Sequence, residues 1–404
     1  MPRLVLLAGA LLALTSLTAR AQPAEVNVLT FARGALIERV TSTASEEWDA
    51  IWLLDENPAT GWSTGDELTL PVTIVISLPQ QSRVSRFEFD TALTDPPDTA
   101  ARDVDILISD TSANTGFIPL ATARLKPNED RQRVVLASPG VGRWVKLVIH
   151  TTNGSAEHAE LMNVRGFGSA LTSVPPPDAS GTYDSGKYGR VHLRQEGATL
   201  SGCYEKDGGL IHGGVDGHLL LLRWREPKGG GGPALMVPFR DGTGFRGLWQ
   251  NEGETLWKET WDLRKVSGET GACAHWAPGT ASANPVVAGL LAEGRVRLHG
   301  IPFDGGGDKL HPDAKPGIGQ IVEALTTHPD WSITIEDHIE AMETAGGGRA
   351  LSDRRAAAVK AALVEAGIAS GRVATAGLGW EQPVADKETA LGRAQNRRVE
   401  VVRR

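Results

Sequence analysis

The residues of this sequence that could carry out chemistry do not form a recognisable catalytic set. The sequence contains no recognisable Ser-His-Asp arrangement or nucleophile elbow. Carboxylate pairs are too common in proteins to indicate a glycosidase site by themselves. The glycine run 229–232 lacks the Lys-Ser or Lys-Thr of a phosphate-binding loop, so we expect a hairpin tip there. These observations favour a binding protein. An enzyme, or an enzyme accessory subunit, that acts on polysaccharide is the alternative.

The two cysteines, Cys203 and Cys273, are the other candidates for chemistry. No His or third Cys stands beside either of them at the spacing of metal ligands. An even pair of cysteines in an exported protein predicts one disulfide, and two buried free thiols are the alternative.

Export is predicted from the N-terminus. Arg3 precedes an apolar run from residue 4 to 17, and Ala19-Arg20-Ala21 fits the small-x-small rule for cleavage before Gln22. The run is shorter than the ~20 apolar residues that span a bilayer, which disfavours an uncleaved anchor. We therefore expect a signal peptide at 1–21, no transmembrane segment in the mature chain, and a periplasmic or outer-membrane-associated protein.

Composition limits the remaining function classes. The 404 residues include 49 acidic and 41 basic side chains, for a formal net charge of -8. This balance disfavours nucleic acid as a partner. The 47 glycines indicate many tight turns and hence much antiparallel sheet, and the length predicts two or three domains.

Two stretches of Pro and small residues divide the mature chain. The first, 171–180, contains three consecutive prolines and is typical of a stiff linker, and the second precedes residue 285. The predicted domains are 22–170, 181–275 and 276–404.

The strand patterns of the first two domains predict β-rich folds. β-branched runs such as 72–76 and 144–149 indicate a β-sandwich in the first domain. In the second domain, apolar segments recur at hairpin spacing from residue 189 to 249 and predict an antiparallel β-meander or barrel.

Two motifs make the first assignment more specific. The segment 53–63, with sequence LLDENPATGWS, and the segment GRWVKL at 142–147, followed by Glu160, resemble the discoidin, or coagulation-factor C-type, domain of the galactose-binding-like jelly roll. The resemblance implies a structural calcium ion held by Asp55, Asn57, Thr60 and Glu160, and loops that bind a glycan or a lipid headgroup. The alternative is that Asp55 and Asn57 only form a turn while Glu160 faces solvent.

The third domain has an α/β order. Strands are predicted at 295–298 and 332–335, helices near 314–326 and 352–366, and a last strand around 399–402. The motifs IPFD at 301–304, LSDRRA at 351–356 and GRAQNRRVE at 392–400 resemble the OmpA-like C-terminal domain. The resemblance covers 284–404 and implies an α/β sandwich that binds peptidoglycan.

The implied binding residues are His338, Glu340, Arg355 and Arg397. The family motif Gly-His-Thr-Asp stands here as Asp337-His338-Ile339-Glu340, and Glu340 precedes Arg355 by the family's fifteen positions. In the family, the acid accepts hydrogen bonds from the ammonium of diaminopimelate, and the arginine donates two hydrogen bonds to the carboxylate of the same zwitterion. We expect the loss of the family's Thr hydroxyl at Ile339 and the added charge of Asp337 to weaken binding. In the alternative, Glu340 and Arg355 form an ordinary exposed ion pair and Arg397 supports the fold.

The whole chain is thus interpreted as a non-catalytic envelope tether. Its last domain would bind peptidoglycan, while the first domain would present a face to a glycan or an envelope protein. A C-terminal domain that has lost peptidoglycan binding is a further alternative.

Overall fold

The fold is described from a computed structural model that covers residues 25–255, 257, 259–277, 284–340 and 347–404. The predicted signal peptide, 1–21, lies outside these residues. Within them, every helix is too short or too polar to cross a membrane.

The described chain contains four α-helices and twenty-two strands. The strands are β1 (Val26–Asn27), β2 (Leu36–Val40), β3 (Trp62–Ser63), β4 (Val72–Asp90), β5 (Asp103–Ser109), β6 (Ile118–Arg124), β7 (Gln132–Ile149), β8 (Glu160–Leu161), β9 (Asn163–Ala170), β10 (Gly181–Asp184), β11 (Arg190–Glu196), β12 (Thr199–Tyr204), β13 (Gly209–Asp216), β14 (Leu219–Arg225), β15 (Gly231–Pro238), β16 (Gly244–Trp249), β17 (Glu259–Thr260), β18 (Leu263–Ser267), β19 (Arg295–Leu298), β20 (Ile333–His338), β21 (Val373–Gly379) and β22 (Arg398–Arg403). The helices are α1 (Pro285–Ala292), α2 (Lys315–Thr327), α3 (Gly347–Glu365) and α4 (Ala390–Asn396).

Residues 25–170 form a β-sandwich, as the sequence predicts. The long strands β4 and β7 pair along most of their length, with register shifts after Ser77 and Val84 of β4. Their parts near residues 72–77 and 144–149 pair with β2 and β5, and the other half of β4 pairs with β9. The two long strands therefore run through both layers, and the buried side chains between the layers include Trp52 and Trp62.

Residues 181–267, here called the barrel, close on themselves. Eight strands, β10 to β16 and β18, form a ring because β18 pairs with both β10 and β16, while β15 pairs with β16. β17 pairs with β16 beside this ring. A disulfide joins Cys203 of β12 to Cys273, 70 residues along the chain. Of the two predicted arrangements, the barrel is the one formed.

Strand β14 of the barrel has buried apolar side chains on both of its faces. Side chains alternate along a strand, and in β14 Leu220 and Leu222 pack inside the barrel. Leu219 and Leu221 instead belong to the buried cluster of the sandwich. This outward apolar face explains why the strand reads as an unbroken run of leucines, and it attaches the barrel to the sandwich.

Residues 284–404, here called the C-terminal unit, form a four-stranded sheet with order β19, β22, β20, β21. β20 and β21 are parallel and the other pairs are antiparallel. Helix α3 starts at residue 347, five residues before the predicted start, and β21 was not predicted as a strand. Leu391 and Ala394 of α4 are buried in the sandwich cluster, so the C-terminal unit packs on the sandwich.

Candidate ligand-binding cleft

A cleft of about 740 Å³ lies between the sandwich and the C-terminal unit. Three of the four predicted binding residues, Glu340, Arg355 and Arg397, line it. The fold therefore brings together side chains that come from the end of β20, from α3 and from the residue after α4.

Arg355 lies in α3 beside the turn 304–306. Its Nε donates to the carbonyl of Gly307 at 2.8 Å and its Nη2 to the carbonyl of Gly306 at 2.9 Å, and the guanidinium lies 4.8 Å from the centre of the Phe303 ring. Among the described residues, no carboxylate lies within ion-pair distance of Arg355. The carbonyls fix the guanidinium without neutralising it, so its charge and its remaining N–H groups can serve an anion.

Glu340 follows β20 and pairs with Arg397. Arg397 Nη1 donates to Glu340 Oε2 at 2.7 Å. The exposed Glu340–Arg355 ion pair of the alternative interpretation is therefore not formed in this structure. No described residue donates to Glu340 Oε1, which leaves one oxygen of this carboxylate open to a cation.

Arg397 also bridges to the barrel. Its Nε and Nη2 donate to Asp216 Oδ2 at 3.0 and 2.6 Å. Burial lowers the pKa of Arg397, but the carboxylates of Asp216 and Glu340 raise it further, and the net shift is upward. Sequence analysis missed Asp216 because it lies 181 residues before Arg397 and in a barrel with no recognisable motif.

The fourth predicted residue, His338, does not line the cleft. Its side chain is 3% exposed, with Nε2 3.4 Å from Arg398 Nη2 and 4.0 Å from Glu400 Oε1. Burial and the charge of Arg398 lower its pKa to about 4, so it is neutral at pH 7. The expectation that His338 contacts a ligand is not met in this structure, because β20 turns this side chain into a buried polar network.

The environment of Asp337 differs from the second expectation, that this residue adds a negative charge at the site. The side chain is 2% exposed, and its Oδ1 has no hydrogen-bond partner among the described residues. Burial raises its pKa to about 8, against the opposing effect of Arg355 and Arg398. Most of this group is therefore protonated at pH 7, and it does not add the negative charge that the sequence suggested.

The four predicted calcium ligands fall into two hydrogen-bond networks. Asp55 accepts bonds from Thr60 Oγ1 at 2.6 Å and from the backbone N–H of Asn57 at 2.8 Å. Glu160 Oε2 accepts from Thr99 Oγ1 and from the backbone N–H of Asp95, and no described hydrogen bond connects it with the other three. Asp55 and Asn57 thus form the turn of the alternative interpretation, but Glu160 is buried rather than solvent-facing. Calcium binding by these four residues stays a prediction.

Comparison with known proteins agrees with the C-terminal fold. Residues 302–397 match the model of the OmpA family. The chain is 40% identical over 124 residues to outer membrane porin F of Pseudomonas aeruginosa, which is 30% of this chain and 34% of the porin. It is 32% identical over 143 residues to the peptidoglycan-binding protein ArfA of Mycobacterium tuberculosis, which is 35% of this chain and 44% of ArfA. The chain thus spans less than half the length of either relative.

Among solved structures, the chain is similar to the family 32 CBM from C. perfringens NanJ in complex with galactose. The TM-score is 0.31 at 17% identity, over 35% of this chain and 98% of that module. The strand pairing of residues 25–170 defines the sandwich by itself. The family match shows that residues 302–397 of this chain form an OmpA-family domain.

Proposed function

We propose that this protein is an exported, non-catalytic envelope protein that binds peptidoglycan through its C-terminal unit. The observation that carries the proposal is that Glu340 and Arg355 line one cleft without pairing with each other. The name of ArfA, a peptidoglycan-binding protein that is 32% identical to this chain over 143 residues, supports the same ligand. The mature protein would be periplasmic or associated with the outer membrane.

The ligand group that fits this cleft is the zwitterion of diaminopimelate in the stem peptide. Arg355 would donate two parallel N–H bonds to its carboxylate, which is the geometry that a guanidinium provides. Glu340 Oε1 would accept from its ammonium while Arg397 holds the other oxygen. Asp337 would not repel the carboxylate because its proton is retained at neutral pH.

The domain ranges are part of the proposal. We assign 22–170 to a discoidin-like domain and 181–275 to a domain that contains the barrel and the disulfide, with the linker 171–180 between them. We assign 276–404 to the C-terminal domain. The strands of the three large sheets fall within 26–170, 181–267 and 295–403, which supports this division. The sandwich would present its surface to a glycan or to another envelope protein.

Co-sedimentation with purified, diaminopimelate-containing sacculi tests the proposal. Arg355→Ala should weaken binding about ten- to a hundred-fold, since a charge-assisted hydrogen bond contributes about 1.5 to 3 kcal/mol. Arg355→Lys should retain part of the affinity, because lysine keeps the positive charge but cannot donate the two parallel hydrogen bonds of a guanidinium.

Arg354→Ala is the matched control. Arg354 neighbours Arg355 on α3 but pairs with Asp308 and does not line the cleft. Circular dichroism should show that all variants fold. If Arg355→Ala and wild type co-sediment equally with sacculi, the proposed binding site is refuted. If wild type does not co-sediment, the domain keeps the fold but does not bind peptidoglycan. Sustained product release from sacculi or common polysaccharides would instead favour the enzyme alternative.

A further inference from the structure

The charges that line the cleft are mostly neutralised within the protein. Six arginines and five glutamates line it. Arg165 forms two hydrogen bonds to Asp90, and Arg393 pairs with Glu56 at 2.9 Å. The other paired groups of the lining are Arg397 with Glu340, Glu25 with Arg86, and Glu88 with Arg86 and Arg133.

What remains is an excess of positive charge. Arg33, Arg131 and Arg355 have no carboxylate within 4.0 Å among the described residues, and on the acidic side only Glu388 is left without a cationic partner there. Arg33 and Arg131 are exposed and come from the sandwich, whereas Arg355 comes from the C-terminal unit. The cleft therefore offers its unpaired cations from both walls, and its ligand should be anionic at more than one point.

The backbone of both sandwich arginines is held in place. Arg33 ends the short helix 31–33, which packs against α4, and Gly34 follows it with a φ of 91°. Arg131 has a φ of 53°, in the left-handed region, and its N–H donates to Asp90 Oδ1 at 2.8 Å. Glu56, which also lines the cleft, has a φ of 64°. Such backbone conformations cost free energy for residues other than glycine and gather at functional sites.

The size of the cleft also exceeds what one zwitterion fills. A volume of about 740 Å³ is in the range of sites that enclose ligands of drug size, roughly 300 to 1,000 Å³. The groups assigned to diaminopimelate, Glu340 and Arg355, belong to the C-terminal wall alone. The opposite wall is thus free to hold the next part of the same stem peptide.

We propose that Arg33 and Arg131 of the sandwich bind a second carboxylate of the peptidoglycan stem peptide, outside the diaminopimelate zwitterion. This inference rests on the proposed function, because the first anchor is the site of Glu340 and Arg355. The ligand site is then a composite of two domains. The sandwich selects stem peptides whose additional carboxylate is free over those in which it is amidated.

Two soluble muropeptides test this, one with the additional carboxylate free and one with it amidated, both with an intact diaminopimelate zwitterion. Wild type should bind the free form about tenfold more tightly, the equivalent of one charge-assisted contact. The double variant Arg33→Gln/Arg131→Gln should bind both forms at the level of the amidated one. Arg83→Gln, which changes an exposed arginine of the sandwich outside the cleft, should behave as wild type.

The outcomes separate this inference from the proposed function. If Arg355→Ala loses both muropeptides while the double variant still prefers the free form, the composite site is refuted and the proposed function stands. If wild type binds both forms equally, the composite site is again refuted. If wild type binds neither, both proposals fail. Thermal unfolding of each variant should match wild type, so that a loss of affinity reports on the ligand.

Discussion

Replacing Asp337 with Asn should stabilise the C-terminal unit progressively more as the pH rises from about 4 to about 8. The group is buried in β20, and its pKa is raised to about 8 from an ordinary value of 3.8. The folded protein therefore keeps a proton that the unfolded chain releases above about pH 4. The stability that this group contributes is complete below that pH and is lost as the pH rises through 8.

The expected change in the free energy of unfolding follows from the pKa shift of Asp337. Four pKa units at about 1.4 kcal/mol each set an upper limit of roughly 6 kcal/mol, and relaxation around a buried carboxyl reduces it, so we expect about 2 to 5 kcal/mol between pH 4 and pH 8. The amide that Asp337→Asn introduces has no proton to lose in this range. The difference between variant and wild type should be small at pH 4 and should grow steadily toward pH 8.

Two measurements check this prediction. The ¹³C shift of the Asp337 carboxyl should titrate near pH 8, and the calorimetric transition of the C-terminal unit should separate from wild type only at the higher pH. Asp330→Asn, at an exposed position before β20, serves as the control and should change neither. A carboxyl midpoint near 4, or a stability difference that is the same at pH 4 and pH 8, would refute the reasoning.

Three further predictions concern stability. In a double-mutant cycle, Asp216→Asn and Arg397→Gln should show a coupling of about 1 to 2 kcal/mol, because their two hydrogen bonds are only partly exposed; additive effects in thermal unfolding would contradict it. Arg372→Ala should cost about 2 kcal/mol in the C-terminal unit, since its guanidinium donates three hydrogen bonds to backbone carbonyls in the last turn of α2 and in the loop that follows; an unchanged Tm would contradict it. Cys203→Ser should lower the stability of the barrel by up to about 4 kcal/mol, and the unreduced, denatured wild type should show no thiol that reacts with an alkylating agent at Cys203 or Cys273.

The sequence predicts those parts of the fold that are encoded locally. Runs of β-branched residues locate the sandwich strands, and the helical period places most of α3. The closure of the barrel depends on β18 reaching both β10 and β16, which hairpin spacing alone does not determine. The unbroken leucines of β14 do not reveal which side faces the sandwich, because both faces are buried.

The residues of the candidate site also include some that the sequence predicts and others that it does not. Arg355 and Glu340 could be located from motif register, because both lie within one domain. Arg397 is among the predicted binding residues, but the sequence does not predict that it pairs with Glu340, because this contact depends on how α4 ends beside β20. Asp216 contacts Arg397, and Arg131 lines the cleft, only because domains far apart in the sequence pack together, and no local sequence pattern predicts such contacts.

The ion pairs of Arg393, in the middle of α4, and of Arg397, the residue that follows this helix, also determine how mechanical load would be transmitted through the molecule. Arg393 is tied to Glu56 of the sandwich at 2.9 Å, and Arg397 is tied to Asp216 of the barrel at 2.6 Å. Tension on a wall polymer held in the cleft would pass from α4 into both neighbours at once, through contacts that act in parallel. The buried apolar contacts of Leu219, Leu221 and Leu391 with the sandwich would share this load with the two ion pairs, so the three domains would respond to pulling as one stiff body.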